Sequence, residues 1–137
     1  MDFYRNEFSE QIPWSLGNLS MLIHLMLCSN HLQDLIPSSL GILENLLEVY
    51  LSENNLSGSI PPKLIGLSSL SIVLDLSHND LIGSIPSEFR NLKNLANLLF
   101  GEIPSSISKY TSMEHLYLQD NFFERPLPST LNSSRGI

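Results

Sequence analysis

Residues 46–70 read LLEVYLSENNLSGSIPPKLIGLSSL, and three features follow one another in that stretch. Val49 and Leu51 flank Tyr50, an alternation of period two that predicts a short strand with Val49 and Leu51 inward and Tyr50 outward. Three residues past Leu51 stands Asn54, and six past that comes Ile60-Pro61. Proline has a fixed φ and no N–H to give to a sheet, so Pro61 suits the edge of a return path better than a central strand. Leu64, Leu67 and Leu70 then mark an irregular, leucine-spaced arc that leads to the next strand.

The same order recurs along the chain, and a fixed period is the signature of a repeat architecture. Ile-Pro stands at 12–13, 36–37, 60–61, 85–86 and 103–104, with Leu127-Pro128 closing the series, at steps of 24, 24, 25, 18 and 24 residues. Asn6, Asn30, Asn54, Asn79 and Asn121 each lie six residues before such a pair and three after an apolar residue; Asn97 lies six before Ile103, but Asn94 takes the place of the apolar residue. LIHLMLCSN (22–30), LLEVYLSEN (46–54) and MEHLYLQDN (113–121) follow the pattern LxxLxLxxN, and LSIVLDLSHN (70–79) carries one extra residue before Leu74, which accounts for the step of 25. One strand and one arc cannot bury their own leucines, so the units must stack, with parallel strands about 4.8 Å apart. The Asn column is expected to satisfy backbone donors and acceptors in the turn where each strand ends. Gly58, Gly83 and Gly101 sit two residues before Ile and suit a tight turn, although Glu10, Asp34 and Arg125 occupy the same place in other units.

The step of 18 falls in NLANLLFGEIP (94–104). Aligned with its neighbours, this unit lacks six contiguous residues between Leu98 and Leu99, among them an inward leucine and the ladder Asn. A weak joint is expected there, with the units before Leu98 stacked as one block and the unit of Tyr117 and Asn121 coupled poorly to it.

NNLSGSIPPKLIGLSSL (54–70) and NDLIGSIPSEFRNL (79–92) resemble the plant type of extracellular leucine-rich repeat, NxLSGxIPxxLGxLxxL, and the likeness runs over nearly the whole chain. More narrowly, LSSLSIVLDLSHNDLIGSIPSEFRNLKNL, GEIPSS, HLYLQDNFF and the final LNSSRGI are similar to the last repeats of plant leucine-rich-repeat receptor-like serine/threonine kinases, in the subgroup that includes immune receptors for bacterial proteins. The resemblance implies an α/β solenoid, a right-handed superhelix with a parallel β-sheet on its concave face, here with one repeat shortened. It implies a single domain over residues 1–137, with about five to six repeats and the broken one near 95–104. It also implies a protein- or peptide-recognition module in ligand perception and defence signalling on the extracellular side of the plasma membrane, with a peptide or protein ligand and a co-receptor as partners.

The chain departs from complete members of that group. No secretory signal precedes MDFYRNEF, no apolar run approaches the roughly 20 residues of a membrane span, and no kinase signature is present. The expectation is a segment of an ectodomain that does not itself insert into a membrane, with uncapped leucine stacks at both ends that invite association. Two other readings stand beside it: a secreted repeat protein resembling polygalacturonase inhibitors, which calls for a signal and cysteine caps, and a truncated product without activity of its own.

Composition narrows the chemistry. Lys+Arg 7 against Asp+Glu 14 leaves a net charge of −7 with no basic cluster, which argues against nucleic acid. One cysteine, Cys28, cannot form an internal disulfide, and its place in a strand segment reads as a small stacked residue rather than a redox centre. Asp75, Ser77 and His78 are close in sequence, but strand neighbours alternate faces, so His78 cannot complete a triad with the other two. His24 and His115 share a column several repeats apart, too far for one metal. Neither catalytic residues, a metal nor a cofactor is expected.

What remains is a surface. Met26, Tyr50, Asp75 and Tyr117 stand four residues before their Asn, flanked in the same units by His24, Glu48, Val73 and His115 on one side and by Cys28, Ser52, Ser77 and Gln119 on the other. These rows are expected to form the concave ligand-binding face, with tyrosines supplying large contact area and a polar tip. N-x-S/T sequons at Asn18, Asn55 and Asn132 fall away from those rows and are candidate glycosylation sites.

Overall fold

The computed structural model describes residues 1–86 and 114–124, together with the backbone of residues 97–99. In chain order its elements are β1 (Ser9–Gln11), β2 (His24–Met26), β3 (His31–Leu35), β4 (Glu48–Tyr50), β5 (Asn55–Gly58), α1 (Pro62–Ile65), β6 (Val73–Asp75), β7 (Asp80–Gly83), β8 (Asn97–Leu99), β9 (His115–Tyr117) and β10 (Phe122–Phe123). The leucine alternation forms one parallel sheet of order β2-β4-β6-β9-β8. Its inward residues are buried as the pattern requires, with Leu25, Val49, Leu51, Leu74 and Leu76 at 0% exposure, Leu27 at 6%, and Leu116 and Leu118 at 2% and 1%. Each such leucine contributes about 1.5–3 kcal/mol.

A second parallel sheet, of order β1-β3-β5-β7-β10, lies where the sequence predicts only a turn between Asn and Ile-Pro. Its cause is a second alternation: Leu32, Leu56 and Leu81, two residues after each ladder Asn, are buried between more exposed neighbours. These strands end where the backbone turns left-handed, at Glu10 (φ 69), Asp34 (φ 65), Gly58 (φ 72) and Gly83 (φ 79). Glycine is therefore favoured but not obligatory there; Gly101 and Arg125 lie outside the described residues.

The return arcs begin at proline. The carbonyls of Pro13, Pro37 and Pro61 accept from Leu16, Leu40 and Leu64 N–H at 3.1, 3.1 and 3.0 Å, opening 3₁₀ turns over Trp14–Asn18 and Ser38–Ile42 and the single α turn of α1. Successive arcs stack closely. A Cβ on Gly17 would lie 2.6 Å from the Ser39 carbonyl oxygen, and one on Gly41 would lie 2.5 Å from Lys63 Cβ.

The Asn column ties unit to unit. Asn54 Nδ2 donates to Leu27 O in the preceding unit (3.0 Å) and to Leu51 O and Ser52 O in its own (3.1 Å each), while its Oδ1 accepts from Leu32 N–H (3.0 Å). Asn79 repeats this with Leu51 O (3.0 Å) and Leu56 N–H (3.0 Å), and Asn30 with Phe3 O (2.9 Å) and Phe8 N–H (3.1 Å). Asn6 is exposed and bonds only locally, to Phe3 O and Tyr4 O.

The expected weak joint is not what the structure shows. β9 pairs directly with β6, Val73 with His115 and Asp75 with Tyr117, and β8 of the shortened unit lies on the far side of β9. The second sheet makes the same jump, with β10 on β7 and Glu124 N–H donating to Gly83 O at 2.9 Å. The reason is the ladder. Asn121 Nδ2 reaches Leu76 O at 2.9 Å and its Oδ1 accepts from Leu81 N–H at 3.0 Å, satisfying buried groups as Asn79 does one unit earlier, whereas Asn97 of the shortened unit is taken up as the first residue of β8. A buried backbone group left unpaired costs about 1–3 kcal/mol, so the complete unit takes the place beside β6.

Candidate ligand-binding face

The strand register arranges the outward side chains in rows. His24, Glu48, Val73 and His115 are successive partners across β2, β4, β6 and β9, and so are Met26, Tyr50, Asp75 and Tyr117. Neighbouring members of a row are thus about 4.8 Å apart at the backbone. The predicted face is therefore assembled, with Tyr117 directly beside Asp75 because the shortened unit is bypassed. Val73, Cys28, Ser52 and Ser77 are buried, whereas Met26, Glu48, Tyr50, Asp75, His115, Tyr117 and Gln119 are half-buried and His24 is exposed.

Short-range bonds order several of these groups. His24 Nδ1 lies 2.8 Å from Glu48 Oε2. Asp75 Oδ1 accepts from Ser77 N–H (3.1 Å) and Ser77 Oγ–H (2.7 Å), which fixes the carboxylate on the face. The His115 and Tyr117 rings stack with centroids 6.2 Å apart and planes within 9°. Gln119 Oε1 is buried without a hydrogen-bond partner among the described residues. Burial, followed by the nearby Glu48, Asp75 and Tyr117, pushes the Tyr50 phenol above its ordinary value of 10.0. Burial also pushes the Cys28 thiol up from 9.0, partly offset by a backbone hydrogen bond, with Asp75, Glu53 and Asp2 adding to the rise.

Asp2 extends the central row: it bridges in parallel to Met26, and Phe3 N–H donates to Met26 O at 2.8 Å. Asp2 stands four residues before Asn6, the rule that picks out Met26 and Tyr50, but its segment lacks the leucine pattern and the sequence reading passed over it. A second omission lies at the turn before each ladder Asn, where Ser29 Oγ donates to Glu53 Oε2 (2.7 Å) and His78 Nδ1 lies 3.0 Å from Asp120 Oδ2. His78 is thus directed away from Asp75 and Ser77, and the three do not form a triad. His24 and His115 are separated by two intervening strands, and among the described residues no group of three or more His, Cys, Asp or Glu is placed to hold a metal. Asn18 and Asn55 are exposed and lie off the concave sheet; Asn132 is outside the described residues. No helix among the described residues is long and apolar enough to cross a membrane.

A leucine-rich-repeat family model matches residues 20–81, and another matches residues 72–92. Among solved structures, the LRR ectodomain of the receptor kinase SOBIR1 from Arabidopsis thaliana is 32% identical, with a TM-score of 0.69 over 93% of this chain and 72% of that one. The chain belongs to the leucine-rich-repeat family. Its likenesses include plant receptor-kinase ectodomains: besides SOBIR1, a chain of the BIR3–SERK2 complex from Arabidopsis thaliana matches at 30% identity and TM-score 0.75, over 96% of this chain and 60% of that chain. The PEPR1–AtPEP1 structure matches at 44% identity and TM-score 0.72, over 93% of this chain and 19% of that chain. The chain therefore spans 60% of the length of the first of these two and about a fifth of the second. No curated protein matches it by sequence.

Proposed function

We propose that the chain is a peptide- or protein-recognition segment of a plant receptor-like kinase ectodomain, acting on the extracellular side of the plasma membrane in ligand perception and defence signalling, with a co-receptor as second partner. The observation that carries this is the unbroken central row Met26, Tyr50, Asp75 and Tyr117, which offers two tyrosines and a fixed carboxylate to one extended ligand. The likeness to structures solved as the PEPR1–AtPEP1 and BIR3–SERK2 pairs supports a polypeptide partner. Glycans at Asn18, Asn55 and Asn132 are part of the same proposal, and at the first two positions they would leave the concave face clear.

The test is to select binders from a displayed peptide library with the purified chain and to map them by hydrogen exchange. Protection is expected at residues 24–28, 48–52, 73–77 and 115–119, and Tyr50→Ala or Tyr117→Ala should weaken binding by about 1–2 kcal/mol. Protection confined to the return arcs around Lys63 would show that this face is not the binding surface.

A further inference from the structure

The geometry points to a subsite for an arginine side chain of the ligand, between Tyr50 and Tyr117 and over the carboxylate of Asp75. This inference rests on the peptide-recognition reading above and names what that face selects. Asp75 is flanked in register by Tyr50 on β4 and Tyr117 on β9, so one ring stands on each side of it, about 4.8 Å away at the backbone. Ser77 holds Asp75 Oδ1 through two hydrogen bonds, and Oδ2 has no protein partner among the described residues.

The surroundings are short of positive charge. Arg5 and Lys63 are the only Lys or Arg among the described residues; Lys63 lies on α1 and Arg5 in the turn before Asn6, so neither stands in these rows, whereas Asp2 and Glu48 flank the same face. A guanidinium matches the whole set. Its plane stacks on tyrosine rings, its paired N–H groups suit a carboxylate, and it sheds water more readily than an ammonium.

A randomised twelve-residue peptide library on phage, panned against the full chain, supplies the probes. The tightest binder is synthesised with its arginine and with citrulline, the neutral isostere, and both are titrated against the wild type and Asp75→Asn. Asparagine retains an Oδ1 acceptor for Ser77, and a thermal melt checks that the variant folds. Expected results are enrichment of arginine among binders, a loss of about tenfold or more on citrulline substitution with the wild type, and a loss below about twofold with Asp75→Asn. Should Asp75→Asn melt early, Tyr117→Leu serves instead: it removes one stacking ring, keeps the carboxylate, and should weaken the arginine peptide several-fold more than the citrulline peptide. Peptides that bind this face with no need for arginine, or that lose equally on citrulline substitution with both proteins, overturn the subsite and leave the recognition reading standing. Failure of any peptide to bind overturns both.

Discussion

The junction of β4 with β6 and that of β6 with β9 look alike in space and differ in sequence. At the first, neighbouring units of the chain are neighbours in the solenoid, and Asn79 reaches back to Leu51 O at 3.0 Å across 28 residues. At the second, Asn121 reaches Leu76 O at 2.9 Å across 45 residues, over the whole of the shortened unit. Both sheets and the ladder make the same jump. Stacking order in this fold is therefore decided by which unit can satisfy the exposed carbonyl and amide of the last one and bury its leucines, not by which comes next along the chain. The functional result is that Tyr117 stands beside Asp75, where chain order would have put residues of the incomplete unit.

The largest expected effect concerns the ladder itself. Asn79→Ala leaves Leu51 O, Leu76 O and Leu56 N–H without their buried partner and should destabilise by about 3 kcal/mol, at about 1–3 kcal/mol for each group that stays unpaired. Asn121→Ala should cost a similar amount if the β6–β9 junction is equivalent, whereas exposed Asn6→Ala should fall within about 0.5 kcal/mol. Urea unfolding of the three variants makes the comparison, and a neutral Asn121→Ala would show that the two junctions are not alike.

Next in size is the arc side of the regular block. Gly41→Ala places a methyl 2.5 Å from Lys63 Cβ and 2.6 Å from its carbonyl carbon, so the two arcs must part. The expected loss is about 1–3 kcal/mol, read by thermal melting. Gly66→Ala, whose nearest neighbour would be Pro62 O at 3.5 Å, should be tolerated far better.

The smallest effect is electrostatic. The Cys28 thiol and the Tyr50 phenol both titrate higher in the folded state than their ordinary 9.0 and 10.0. The folded chain keeps protons that the unfolded chain releases, so this stabilisation is complete below pH 9 and is lost as pH rises past 9 and then 10. Tyr50→Phe and Cys28→Ser should each flatten the alkaline fall in melting temperature; an unchanged slope in both would contradict the assigned cause.

Much of this was legible in the sequence, for physical reasons that differ by element. The first sheet and the ladder could be read because Val49, Leu51 and Asn54 each demand burial or a partner, and their spacing leaves one way to provide it. The second sheet was missed because Leu32, Leu56 and Leu81 are single inward residues between turn-forming neighbours, too short an alternation to stand out from a loop. The rows of the face were legible from strand parity, but the placement of Tyr117 against Asp75 was not. It depends on a competition between the shortened unit and the next one for the edge of β6, which local pattern does not reveal.

That adjacency is tested most directly by a cross-link. In a Cys28→Ser background, Asp75→Cys with Tyr117→Cys places two thiols on register partners of adjacent strands, about 4.8 Å apart at the backbone and within disulfide range. Mild oxidation should close the bond in nearly all molecules, read as a free-thiol loss and a mobility shift. Inserting DLSHND between Leu98 and Leu99 completes the shortened unit and should let it enter beside β6, separating the two positions and abolishing the bond. Absence of the disulfide in the uninserted protein, or its persistence after the insertion, would contradict the account.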